Sequence, residues 1–137
     1  MRLTAFTDFG LRALMRLAGD PERSFTTDEI ARDFAISRHH LTKVVKALAA
    51  GGFIITRRGG GGGMRLARPA GEISLGAVVR ALESGQAMVE CFRADGGACM
   101  LTPTCRLKGK LASAERAFLA SLDETSLAEI AHPSLGI

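Results

Sequence analysis

Three cysteines, Cys91, Cys99 and Cys105, fall within fifteen residues of one another, and the chain has no others. Seven residues separate the first pair and five the second. Residues 84–104, which lead up to the last of them, are rich in loop formers: Gly85, Asp95-Gly96-Gly97 and Pro103. Thiolates carried on a glycine-bearing loop can converge on one centre, and soft sulfur donors select zinc, copper(I) or an iron–sulfur cluster. The Cys-x-x-Cys spacing usual for zinc ribbons and redox dithiols is missing. An odd number of cysteines also argues against a disulfide framework. Three thiols leave one ligand position to another residue or an exogenous group, and Arg93 and Arg106 supply positive charge beside them. Two other readings stay open: bare redox thiols, or unligated cysteines acting as small apolar residues.

A second group of residues has the chemistry of nucleic-acid recognition. Ser37, Arg38, His39, His40, Thr42 and Lys43 cluster in the first two turns of a predicted helix, where donors reach base edges and phosphates once that helix enters a major groove. Arg57, Arg58 and Arg65 surround a five-glycine run, Gly59 to Gly63, whose lack of side chains permits close approach to a backbone. Charge is placed accordingly. Residues 1–70 hold twelve Arg or Lys against six Asp or Glu, whereas residues 71–137 hold six against eight. A basic N-terminal half implies a phosphate-rich partner on that side. The glycine run is no phosphate loop, because no Lys-Ser or Lys-Thr follows it and no helix starts there.

The elements that must carry these residues follow from periodicity and punctuation. Residues 4–18 form an amphipathic helix with Phe6, Leu11, Leu14, Leu17 and Ala18 inward and Arg12 and Arg16 on the wetter side. Thr26 and Glu29 have the spacing of a capping box, opening a second helix that ends near Ala35. Ser37 caps a third helix, residues 38–50, with Leu41, Val44, Val45 and Leu48 as its apolar stripe. Two short β-rich stretches, residues 53–58 and 64–67, then flank the glycines as a hairpin. Ser74 caps a fourth helix bearing Leu75, Val78, Val79 and Leu82. A long final helix, residues 104–123, carries Leu107, Leu111, Ala114, Phe118 and Leu122 on one stripe.

The predicted fold class is therefore mainly α with a small β-hairpin: a winged helix-turn-helix followed by a long C-terminal helix. Residues 1–70 read as the DNA-binding domain, its first helix also contributing to a dimer, and residues 71–137 as a sensor loop plus dimerisation helix. That helix has little local core to cover, so packing on its symmetry mate is expected, with packing inside one chain as the alternative. No apolar run approaches the length of a membrane span and no signal-peptide core is visible, so a cytoplasmic protein is expected. No second cofactor motif or acid–base pair is legible, which sets a redox enzyme aside.

In this order and spacing the chain resembles the winged-helix iron–sulfur repressors. The resemblance rests on LTAFTDFGLRAL at Leu3–Leu14, SRHHLTKVVKAL at Ser37–Leu48, RGGGGGMRLARP at Arg58–Pro69 and ISLGAVVRALE at Ile73–Glu83, then the three cysteines with LTPTCRLK at Leu101–Lys108. It implies a homodimeric repressor on double-stranded operator DNA, with a two-iron or four-iron cluster held by Cys91, Cys99 and Cys105. The branch that regulates cluster assembly places a His three residues after the last cysteine, where this chain has Lys108. The nitric-oxide-sensing branch supplies an Asp from the first helix across the dimer, and Asp8 matches that position. Arg12 matches a cluster-neighbouring Arg. From its chemistry alone, Asp8 reads as a helix cap or an acid that stabilises a helix N-terminus, and only the resemblance makes it a ligand. AMVECF at Ala87–Phe92 and the seven-then-five spacing resemble the iron-responsive branch instead. Many relatives carry a basic or amide residue at the wing tip where this chain has Gly60 and Gly61, which shifts the burden of contact to Arg57, Arg58 and Arg65.

Overall fold

The computed structural model describes residues 2–60 and 62–132; Gly61 at the wing tip lies outside them. Helices α1 (Ala5–Gly19), α2 (Thr27–Asp33) and α3 (Arg38–Ala50) lead into an antiparallel hairpin of β1 (Ile54–Arg57) and β2 (Gly63–Leu66). Helix α4 (Leu75–Leu82) and the long α5 (Arg106–Asp123) complete the architecture, a winged helix-turn-helix with a long C-terminal helix.

Helices α1 to α4 each start where a side-chain oxygen meets an orphan N–H. Thr4 accepts from Thr7 N–H, Thr26 and Glu29 form a reciprocal capping box, Ser37 accepts from His40 N–H, and Ser74 from Ala77 N–H. Helix α2 ends two residues before the expected end near Ala35, which lengthens the connection to α3. Helix α2 ends at Asp33, and Ala35 takes a left-handed conformation with φ of 53°.

The hairpin pairs Ile54 with Leu66 and Arg57 with Gly63. Met64 is buried and also exchanges both backbone hydrogen bonds with Phe25, at 2.9 and 2.7 Å. The segment before α2 thus acts as a third, one-residue strand. Gly63 has a φ of +129°, and a Cβ there would stand 2.7 Å from the Phe25 carbonyl oxygen. Gly60, by contrast, has open space around it.

One core runs through the molecule. Leu14 and Leu17 of α1, Leu41 and Leu48 of α3, Val78 of α4 and Leu127 after α5 are all fully buried in it. Arg16, expected on the wet side of α1, is in fact buried. Its guanidinium lies 4.5 Å from the centre of the Phe25 ring and its Nε is 3.7 Å from Asp33. Phe25 reaches that place through its pairing with Met64, a contact remote in sequence.

Helix α5 is fastened at one end. After it, Leu127 N–H donates to Ile73 C=O at 2.8 Å, and Leu75 N–H donates to Thr125 C=O at 3.0 Å. Arg80 of α4 forms a bidentate ion pair with Asp123, which holds that carboxyl below its ordinary range. Leu111, Phe118 and Leu122 are half-buried as expected, but Leu107 and Ala114 are exposed. Lys108, Glu115 and Leu119 share the covered side instead, because α4 sets the phase of contact. No residue of α5 is fully buried. The helix therefore lies against α4 and leaves its other face open.

Glu83, the C-cap of α4, reaches the start of α1. It accepts from the Thr4 hydroxyl at 2.6 Å, from Thr4 N–H at 3.2 Å and from the fully buried Thr7 hydroxyl. Partial burial opposes its ionisation, but these hydrogen bonds outweigh it and hold its carboxyl below the ordinary value near 4.5.

Two outcomes are expected. Gly63→Ala costs about 1–3 kcal/mol in urea unfolding, from backbone strain, whereas Gly60→Ala is close to neutral; equal effects would contradict the tip geometry. Glu83→Ala costs about 1–3 kcal/mol at neutral pH, because Thr7 loses its acceptor. The lowered carboxyl stabilises the fold above its ordinary value and ceases to do so as pH falls through the folded value. The gap in stability between wild type and Glu83→Gln must therefore shrink in acid; a gap independent of pH would contradict the assignment.

Candidate metal centre and nucleic-acid interface

The three cysteines lie on the path from α4 to α5. Cys91 and Cys105 are partly exposed, Cys99 is exposed, and none is in a disulfide. Cys91 sits in a 3-10 turn, Glu90–Phe92. The carboxylate of Glu90 accepts from Ala98 N–H at 2.9 Å, and Gly97 packs so closely on the Glu90 carbonyl that a Cβ would stand 2.6 Å from it. Gly96 and Gly97 both adopt positive φ to make this closure. The residues just before Cys91 and Cys99 are thereby clamped to each other. Thr102 N–H donates to Cys99 C=O at 3.4 Å, and a second 3-10 turn, Thr102–Thr104, delivers the chain to Cys105.

Cys105 occupies the N-cap of α5 and makes no side-chain cap hydrogen bond. An anionic sulfur at that place would meet the positive end of the helix dipole. Arg93 is engaged with Asp95 at 2.9 Å. Met100, Leu101 and Leu107 stand out as strongly exposed apolar side chains around the second and third cysteines.

Asp8 and Arg12 form an i,i+4 ion pair at 2.6 Å on the half-exposed side of α1. This chain alone does not bring Asp8 and the cysteines into one ligand shell. Among the described residues no three His, Cys, Asp or Glu side chains make a group able to hold a metal ion. The donor chemistry nonetheless fits a thiophilic metal or cluster: three free thiols on one clamped loop, with a carboxylate on a half-exposed face elsewhere. A cleft lined by Leu3, Thr4, Glu83, Met88 and Phe118 contains none of these donors and is separate from the candidate centre.

The nucleic-acid face is better assembled. Ser37, Arg38, His39, His40, Thr42 and Lys43 are all exposed. Arg38 pairs with Asp28 at 3.1 Å, and the Thr42 hydroxyl donates to Arg38 C=O, so both have local partners. Lys46, absent from the expectations above, is also exposed; with His39, Thr42 and Lys43 it completes a face at i, i+3, i+4 and i+7. Its helical spacing was the signal that could have found it. On the wing, Ile55 opposes Arg65 and Arg57 opposes Gly63, so Arg57 and Arg65 share the outer face of the hairpin. Arg58 follows β1 and is exposed.

Comparison with known proteins accords with this layout. A family model described as Rrf2, iron-dependent transcriptional regulator, matches residues 3–133. The HTH-type transcriptional regulator NsrR of Geobacillus kaustophilus (strain HTA426) is 47% identical over 131 residues, covering 95% of this chain and 89% of that protein. Among solved structures, CymR of Staphylococcus aureus superposes with a TM-score of 0.71 at 27% identity, covering 94% of this chain and 97% of that one. T. potens IscR superposes with a TM-score of 0.75 at 21% identity, covering 95% and 85%, a likeness of fold. The chain is a transcriptional regulator of the Rrf2 family.

Proposed function

We propose that this regulator is a homodimeric repressor of a roughly palindromic operator, whose three cysteines hold an iron–sulfur cluster that senses nitric oxide. The observation that carries the reading is the clamped loop itself, with three free thiols led onto the start of α5. The 47% identity to a regulator named NsrR supports the choice of signal. Residues 1–70 serve as the DNA-reading head and residues 71–137 as the sensor arm.

Cys91, Cys99 and Cys105 would hold the cluster, with the partner subunit's Asp8 as fourth ligand and Arg12 beside it. Carboxylate is a harder and weaker donor to iron than thiolate, so the bound cluster would supply one labile iron at which nitric oxide reacts. Asp8 rides on the head of one chain and the cysteines on the arm of the other. Held together, they fix the separation of the two recognition helices to match successive major grooves. Released, they let the heads part and the operator is freed, a two-state element biased by one ligand. The α3 face and the wing arginines Arg57, Arg58 and Arg65 make the DNA contacts.

A second reading follows from the seven-then-five cysteine spacing and AMVECF, which resemble the iron-responsive branch. Anaerobic visible absorbance with iron and sulfide analysis, then nitric oxide titration during operator binding, separates the possibilities. The expected result is a brown protein that loses its spectrum and its DNA affinity together. A brown protein indifferent to nitric oxide but released by iron chelation would establish the iron-responsive reading. A colourless protein containing zinc, or only reduced thiols, would remove the cluster.

A further inference from the structure

One hydroxyl in the cysteine loop is buried with nothing to bond to. Thr102 Oγ1 is the one side-chain oxygen among the described residues that is both sealed from solvent and without a hydrogen-bond partner. The other unpartnered buried atoms, Nε and Nη1 of Arg16, belong to a cation already compensated by the Phe25 ring and by Asp33. Thr102 has no such compensation.

Its place in the chain is specific. Thr102 is bonded through its N–H to the Cys99 carbonyl and stands three residues before Cys105, on a turn stiffened by Pro103. Threonine in a turn usually satisfies its hydroxyl on nearby backbone or on water. Leaving it buried and unbonded costs free energy that a valine of the same shape would avoid. A hydroxyl left so, on the stretch of chain that runs from Cys99 to Cys105, suits an acceptor that belongs to the loop only when the loop is loaded.

We propose that Thr102 is a positioning residue whose hydroxyl donates a hydrogen bond to an anionic sulfur of the three-cysteine centre, either cysteinyl thiolate or inorganic sulfide, and so sets that centre's reduction potential. The proposal rests on the cluster reading above. Hydrogen bonds to sulfur favour the more negative, reduced state of a cluster, so removing one lowers the potential.

The test uses the full chain, with ferrous iron and sulfide as the reconstituting probe under anaerobic conditions. Wild type, Thr102→Val and Thr102→Ser are compared by dye-mediated redox titration, and their metal-free forms by thermal unfolding. Expected are a shift of Thr102→Val to lower potential, equivalent to a roughly two- to tenfold change in the oxidised-to-reduced ratio, and recovery in Thr102→Ser. The metal-free Thr102→Val should unfold no earlier than wild type, since it loses only an unbonded hydroxyl. An unshifted potential in Thr102→Val, or a loss of stability confined to the metal-free form, would overturn the proposal and leave the cluster in place. Wild type that takes up no iron and sulfide would overturn the cluster reading and this proposal together.

Discussion

One carboxylate ties the end of α4 to the start of α1. Glu83 closes α4 and, with the same two oxygens, accepts the N–H and hydroxyl of Thr4 and the hydroxyl of Thr7. Thr4 is itself the N-cap of α1. The interaction therefore sets a negative charge at the positive end of the helix that carries Asp8 and Arg12, where helix dipole and hydrogen bonding act in the same direction. The chain leaves α4 immediately beyond this point to form the cysteine loop. The root of the loop and the start of α1 are thus joined directly by hydrogen bonds.

Helix α5 is secured at one end. Its fixed end is the junction of α5 with α4, secured by the Arg80–Asp123 pair and by the return of the chain through Leu127 into the core. Its other end is Cys105, eighteen helical residues away, or about 27 Å at 1.5 Å per residue. Exposed apolar side chains lie near the cysteine end, and the far side of α5 is open. A ligand set shared between Asp8 of one subunit and the cysteines of another would act at the end of α5 remote from that junction.

What was legible in the sequence was local. Caps at Thr26, Ser37 and Ser74 announce themselves through residue type and three-residue spacing, and each stands where it was expected. The hairpin and the apolar stripe of α3 were likewise set by short-range pattern. Apart from the end of α2, the misreadings involve contacts distant in sequence. Arg16 was placed in water because nothing nearby shows that Phe25, drawn in by Met64, will cover its guanidinium. Glu83 drew no reading from the sequence, because its partners are more than seventy residues away. The stripe on α5 was out of phase, with Ala114 exposed and Glu115 and Leu119 covered, since α4 and not the helix's own periodicity decides which side is buried. At the candidate centre, the cysteines and their spacing could be read from the sequence, and all three thiols are free in the structure. The Glu90–Ala98 clamp and the unbonded Thr102 hydroxyl depend on loop conformation, which no periodicity encodes.

The central claim is that the ligand shell is assembled between two chains, and complementation in a mixed dimer tests it most directly. One chain carries Asp8→Ala with its cysteines intact, and the other carries Asp8 with Cys91, Cys99 and Cys105 all changed to Ala. Asp8 and Arg12 form an exposed pair, worth only about 0.3–0.5 kcal/mol, so the first change leaves folding intact. The purified heterodimer is reconstituted anaerobically with iron and sulfide and compared with each homodimer. The account predicts one cluster per heterodimer with the wild-type spectrum, because the cysteines of one chain meet the aspartate of the other. A heterodimer whose spectrum matches that of the Asp8→Ala homodimer would contradict it, and would show that Asp8 gives no ligand across the dimer.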